Sequence, residues 1–210
     1  MLVFVLDTTA VTDYGLRRKL GVESLSSVVS RVTELMRVAV LRHRARFYVT
    51  PQVMEELKRF LQNNGVGEED ARRLLAWLTV KSPSLMEVRI PAAVMASYVG
   101  EVQERLTRGL RVAEEAVRKA SKAGENDLGS LIRELREKYR DATRRGMLDS
   151  TADFNTAMLA REVGGIMVTS DSGLRKLCET LGIVVVSPDH FIDMLTELAS
   201  TPPRQARETQ

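Results

Sequence analysis

The chain is poor in several residue types, and each shortage excludes something. One cysteine, Cys178, among 210 residues rules out an intramolecular disulfide framework. Together with only two histidines, His43 and His190, it leaves too few sulfur and nitrogen ligands for a structural zinc site. Aromatic residues make up 5% of the chain, with a single tryptophan; flat faces for stacking on unpaired bases are scarce. No apolar run approaches the ~18 residues that a membrane helix needs. The opening Met1-Leu-Val-Phe-Val-Leu6 is cut at Asp7 and has no basic lead-in, so it reads as a first strand and not as a signal peptide. This cysteine usage fits a reducing, cytoplasmic setting.

What is present is globular. Hydrophobic residues are 44% and charged residues 28%, and the length suits one domain of about 150 residues with an elaboration, or two small domains. The formal net charge is +3. Between Arg89 and Gly146 there are 13 basic and 9 acidic side chains, against 18 and 19 in the rest. The whole positive excess therefore lies in one block, which suits an acidic partner.

Hydrophobic periodicity gives an alternating pattern. Leu2–Leu6, Arg46–Thr50, Gly165–Thr169 and Ile183–Ser187 read as strands, with a further short extended piece at Leu85–Ile90. Ser24–His43, Val53–Leu61 (entered through Pro51), Glu68–Leu78, Thr151–Val163, Gly173–Leu181 and Asp189–Ala199 read as helices. Strands alternating with helices imply an α/β fold with a mainly parallel sheet. From Pro91 the pattern changes. Met95, Val99, Val102, Leu106, Gly109, Ala113, Ala116 and Ala120 alternate spacings of four and three, a coiled-coil-like seam. A break at Ala123–Asp127 and a second helix over Leu128–Arg145, ended by Gly146, make a helical hairpin. The expected organisation is an α/β domain formed by residues 1–90 and 147–199, a protruding two-helix insertion at 91–146, and a loose tail at 200–210.

Acids stand where such folds place chemistry. Asp7 follows the first strand and Asp171 follows the strand Gly165–Thr169, and ligands of open α/β sheets bind beyond the carboxyl ends of strands. Asp149 and Asp153 are four apart at a helix start, on one face. Converging carboxylates repel unless a divalent cation binds them, and oxygen-only ligands favour Mg²⁺ or Mn²⁺. The plain alternative is that these aspartates are turn residues and helix caps.

Leu6-Asp7-Thr8-Thr9, Pro51-Gln-Val-Met-Glu-Glu-Leu57, Asp149–Asp153 and Val168-Thr-Ser-Asp171, in this order, resemble a PIN-domain nuclease. Gly109-Leu-Arg-Val-Ala-Glu-Glu115, Leu135-Arg-Glu-Lys-Tyr-Arg140 and Gly146-Met-Leu-Asp-Ser150 resemble the HARP family, minimal protein-only RNase P enzymes, over roughly residues 2–199. The resemblance implies a PIN-like three-layer α/β fold and metal-site acids at Asp7, Asp149, Asp153 and Asp171. A further family aspartate falls on Asn155, a departure that keeps a carbonyl oxygen and loses the charge. The PIN pattern also places an acid at Glu56 or Glu55, and Thr8 and Thr169 flank the strand-end acids. The implied reaction is metal-dependent removal of the 5′ leader of precursor tRNA without an RNA subunit, with water attacking the phosphodiester to leave a 5′-phosphate on the tRNA.

In the second hairpin helix, Arg133, Arg136, Arg140 and Arg144 are spaced three, four and four and form one stripe. Leu128, Leu131, Ile132, Leu135, Tyr139 and Ala142 group around the other side. Glu134, Glu137 and Asp141 flank the stripe, so a solvated face with i,i+4 ion pairs is one reading. The family resemblance implies the other, in which Arg136 and Arg140 contact the tRNA body. It also implies homo-oligomers, dimers joined through the insertion and assembled into a ring or star. Two rival functions remain at this point: a toxin-type PIN ribonuclease acting on another RNA, and a non-catalytic RNA-binding scaffold disabled at Asn155.

Overall fold

A computed structural model of the chain describes residues 1–121, 128–144 and 150–202, Arg144 by its backbone alone. Two compact units emerge: Met1–Arg89 with Ser150–Gln210, and Ile90–Asp149.

The first unit is built on a five-stranded, wholly parallel sheet ordered β3-β2-β1-β4-β5. The strands are β1 (Val3–Leu6), β2 (Arg46–Val49), β3 (Leu78–Val80), β4 (Ile166–Val168) and β5 (Val185–Val186). Side chains alternate across a strand, and β1 shows it. Phe4 and Leu6 enter a core with α3 (Leu25–His43), α4 (Pro51–Asn63), α5 (Glu68–Leu75) and α10 (Pro188–Ser200). Val5, in register with Met167, is equally buried but outside that cluster. On that side lie α8 (Thr151–Val163), which packs on β1 and β4, and α9 (Ser172–Thr180), which packs on α8. This is a three-layer α/β arrangement, as expected. Phe4, Phe47 and Phe191 meet with ring centroids 5.2–6.0 Å apart. Burying each ring contributes roughly 1.5–3 kcal/mol, so the trio ties β1, β2 and α10 into one core.

Three elements depart from the sequence reading. The helix expected over Glu68–Leu78 ends at Leu75, and Leu78–Val80 is the edge strand β3, with Phe47 opposite Leu78. Sheet pairing overrides the helical pattern there: Lys81 N–H still donates to Val49 O at 2.9 Å. Leu85–Ile90 forms no strand; it holds a turn over residues 85–87. The first crossover carries two short helices that were not expected, α1 (Thr9–Thr12) and α2 (Gly15–Leu20), too short for periodicity to register. At the N-terminus of α10 the cap is Ser187, and Asp193 pairs with Lys19.

The second unit holds α6 (Ala92–Ala120) and α7 (Leu128–Arg144), packed against each other. The break expected at Ala123–Asp127 lies outside the described residues, as does most of the tail. Gly109 is buried beneath Tyr139. A Cβ there would stand 2.7 Å from Tyr139 Cε2, so glycine permits the close approach. Glu134 accepts from Lys119 at 2.6 Å and from Lys138 at 3.0 Å. These ion pairs hold its carboxyl below the usual range. Among the described residues, no helix is long and apolar enough to cross a membrane.

Candidate active site

The strand order places the site. From β1 the chain moves outward to β2 and β3, then returns to β4 on the other side of β1. Such a reversal opens a crevice beyond the carboxyl ends of the strands, and Asp7 and Thr169 stand there, one residue past Leu6 and Val168, which are in register. Asp7 N–H donates to Val168 O at 3.1 Å, closing the ladder.

Asp7 is held from three directions. Thr8 N–H donates to Oδ1 at 2.7 Å. The hydroxyls of Thr9 and Thr169 donate to Oδ2 at 2.8 and 2.9 Å. Thr169 is fully buried, and its hydroxyl also accepts from Asp171 N–H at 3.0 Å. Ser170 N–H donates to Thr9 Oγ1 at 3.0 Å. The ends of β1 and β4 are thus stitched by side chains, which orients the Asp7 carboxylate and removes its rotational freedom. Asp171 is the N-cap of α9, its Oδ1 accepting from Leu174 N–H at 2.7 Å. Arg175, one turn into that helix, donates from Nη2 to Thr169 O at 3.2 Å.

A third strand end joins this edge. Thr50 caps α4 after β2, and its Oγ1 lies 3.4 Å from Thr156 Oγ1 on α8. Both are buried, so the first turns of α8 stand at the carboxyl edge of the sheet. Asp153 lies one turn before Thr156. It forms a reciprocal cap with Ser150, whose Oγ accepts from Asp153 N–H at 3.1 Å and donates to Oδ2 at 2.8 Å. Asn155 is half-buried.

The structure therefore joins Asp7, Thr169 and Asp171 through hydrogen bonds and sets Asp153 at the same edge. Thr8 contributes its backbone; its hydroxyl is buried without a partner among the described residues. Glu56 is exposed on α4, and Glu55 pairs with Lys58 at 3.1 Å. Asp149 lies outside the described residues. Sequence reasoning missed Thr9, Thr50 and Thr156 as supports; the Thr50-Pro51 pair, a cap before a proline, was the available signal. Among the described residues, no three carboxylate, imidazole or thiol side chains gather closely enough to hold a metal ion. The donors at hand are all oxygens, the chemistry that suits Mg²⁺ or Mn²⁺, and they do not complete a cage by themselves.

In the second unit, Arg133, Arg136 and Arg140 are exposed on α7. The ion pairs foreseen along this face do not engage them: Glu134 pairs with Lys119 and Lys138 instead. The guanidinium groups of Arg133, Arg136 and Arg140 are left uncommitted among the described residues; the Arg144 side chain lies outside them.

Residues 3–200 match the PINc domain ribonuclease family. By that match the chain is a PIN-domain ribonuclease, and its strand-end aspartates stand at the switch point of the sheet. Curated relatives match over nearly the whole chain. A protein of Ignicoccus hospitalis is 48% identical over 94% of this chain and 96% of its own. One of Hyperthermus butylicus is 45% identical over 93% and 88%, and one of Aeropyrum pernix is 43% identical over 93% and 91%. All three are named RNA-free ribonuclease P. The chain belongs to the RNA-free ribonuclease P family, whose members are endonucleases.

Proposed function

We propose that the chain removes the 5′ leader of precursor tRNA by metal-dependent hydrolysis, with no RNA subunit. The observation that carries this reading is that the relatives match across both units, the helical hairpin as well as the nuclease unit. That extent favours it over a toxin-type ribonuclease or a scaffold disabled at Asn155.

In this reading Asp7, Asp149, Asp153 and Asp171 hold Mg²⁺ or Mn²⁺. When bound, such an ion would supply an activated water and stabilisation of the charge that develops at phosphorus and on the leaving oxygen. The chain's own part is orientation. Thr9 and Thr169 fix the Asp7 carboxylate, Leu174 N–H fixes that of Asp171, and Ser150 fixes that of Asp153. Asn155 adds a neutral carbonyl donor where the family pattern has a charge. No side chain serves as nucleophile.

Arg133, Arg136, Arg140 and Arg144 grip the tRNA body through phosphates, for which the forked guanidinium is suited. A rigid basic stripe fits folded RNA, whose deep major groove is not readable by side chains. The hairpin also joins copies of the chain. On α6, Leu106, Leu110 and Val117 are 62%, 60% and 69% exposed, an apolar face that a second copy would cover. The compartment is the cytoplasm, in keeping with Cys178, a buried free thiol that burial pushes up to about 12.

The test is incubation with precursor tRNA and sequencing of the product ends. The expected result is one cut at the leader junction, leaving a 5′-phosphate on the tRNA. Cuts scattered elsewhere, or none, would refute the reading.

A further inference from the structure

The insertion leaves the nuclease unit after Arg89 and returns at Ser150, and both ends of that excursion are bound to α8. On the outgoing side, residues 81–89 run as a strap with little apolar anchoring; Leu85 and Met86 are exposed, Met86 almost completely. Two adjacent residues near the C-terminal end of α8 hold it. The Glu162 carboxylate accepts from Ser84 N–H at 2.7 Å and from Lys81 Nζ at 2.8 Å, with the Ser84 hydroxyl at 3.4 Å. Arg161 donates from Nε to Arg89 O at 2.7 Å, and from Nη1 to Leu181 O at 2.6 Å. Arg161 thereby fixes the last residue before the insertion to the body of the unit. On the returning side, Ser150 caps α8 through its reciprocal bonds with Asp153.

The Glu162 bonds are more than surface decoration. The Glu162 side chain is 19% exposed, so its bonds are shielded better than those of an open ion pair. The hydrogen bonds from Lys81 and from Ser84 N–H hold its carboxyl below the usual range. Both charged residues reach main-chain groups of the strap, which fixes backbone position and not only side-chain proximity. One helix therefore carries the departure point, the return point and a candidate metal-site acid.

We propose that Arg161 and Glu162 are positioning residues that hold the insertion's point of departure against α8 and so set which phosphodiester is cut. This rests on the reading that the hairpin grips the tRNA body while the strand-end acids cut. A grip and a cutting site on separate units can select one bond only if the chain between them does not slide. Misplacement of about 1 Å is enough to cost up to a hundredfold in rate.

The experiment is single-turnover cleavage of a precursor tRNA by the full chain, with product ends sequenced, for wild type, Glu162→Ala, Glu162→Gln, Arg161→Ala and the double variant Arg136→Ala/Arg140→Ala. For Glu162→Ala and Arg161→Ala the expected result is secondary cuts at neighbouring phosphodiesters and a roughly ten- to hundredfold slower cut at the junction. Glu162→Gln, which keeps an acceptor for Ser84 N–H, restores the single cut. Thermal melts on each variant separate this from lost folding, since a merely weakened fold slows cleavage without moving it. A single cut at the junction by both Glu162→Ala and Arg161→Ala, at whatever rate, overturns the proposal and leaves the proposed function standing. No junction cut by wild type, or an unchanged half-saturating enzyme concentration in the Arg136→Ala/Arg140→Ala variant, overturns the reading beneath it and the inference with it.

Discussion

Thr169 donates its hydroxyl hydrogen to Asp7 Oδ2 across 2.9 Å, although 162 positions separate them in sequence. The bond joins the ends of neighbouring strands β1 and β4 and turns a flexible carboxylate into a fixed donor of oxygen. Replacing Thr169 by Val keeps the shape and removes the hydrogen bond. The variant should lose about 1 kcal/mol of stability and, if Asp7 is the metal ligand proposed above, roughly tenfold or more in kcat with KM little changed. Thr169→Ser should recover most of the rate. Steady-state kinetics with a melting curve checks both.

Asn155 offers a second test of the same site. Changing it to Asp introduces the charge that the proposed family pattern implies at this position. The expected outcome is a lower Mg²⁺ requirement and a rate about tenfold higher at limiting metal. A magnesium titration of the cleavage rate on wild type and Asn155→Asp checks it.

The arginine stripe tests the grip. With Arg136 and Arg140 both changed to Ala, KM for precursor tRNA should rise by about tenfold or more while the melting temperature stays within a degree or two, since exposed surface changes cost little stability. The salt dependence of binding should flatten as well.

The apolar face of α6 tests the assembly. Leu110→Glu with Val117→Glu places two charges in a surface that a second copy would cover. Sedimentation should show a smaller species, with helix content unchanged because both positions are exposed in the single chain.

Acid should loosen the strap. The hydrogen bonds from Lys81 and then from Ser84 N–H hold the Glu162 carboxyl below the ordinary glutamate range in the folded chain. Its contribution is therefore fully present above about pH 4.5 and is lost as pH falls through the lowered folded value. Limited cleavage at Leu85–Met86 by pepsin, a protease active in acid, should rise below that pH in wild type. In Glu162→Gln it should depend less on pH.

Much of this was legible in the residues. Asp7 after an apolar run and Asp171 after another announced strand ends, and the four-three spacing from Met95 announced the hairpin. The edge strand β3 was not legible, because three residues carry no period of their own and take their state from Phe47 and Val49 beside them. Thr169 was a candidate beside the strand-end acids, but that it and Thr9 both bond the Asp7 carboxylate was not legible until the sheet order set β1 beside β4. The hairpin seam was read as one stripe. In the structure Gly109 of that stripe turns inward beneath Tyr139 while Leu106 of the same stripe faces out, a distinction that spacing alone does not make.

The most direct test is single-turnover cleavage of a 5′-labelled precursor tRNA by wild type and Asp7→Asn, each with Mg²⁺ and with chelator, alongside a binding measurement. The expected result is one leader fragment from wild type in Mg²⁺ and none with chelator. Asp7→Asn should bind the precursor as wild type does and leave it uncut. Persistence of the cut in Asp7→Asn or in chelator would contradict the account.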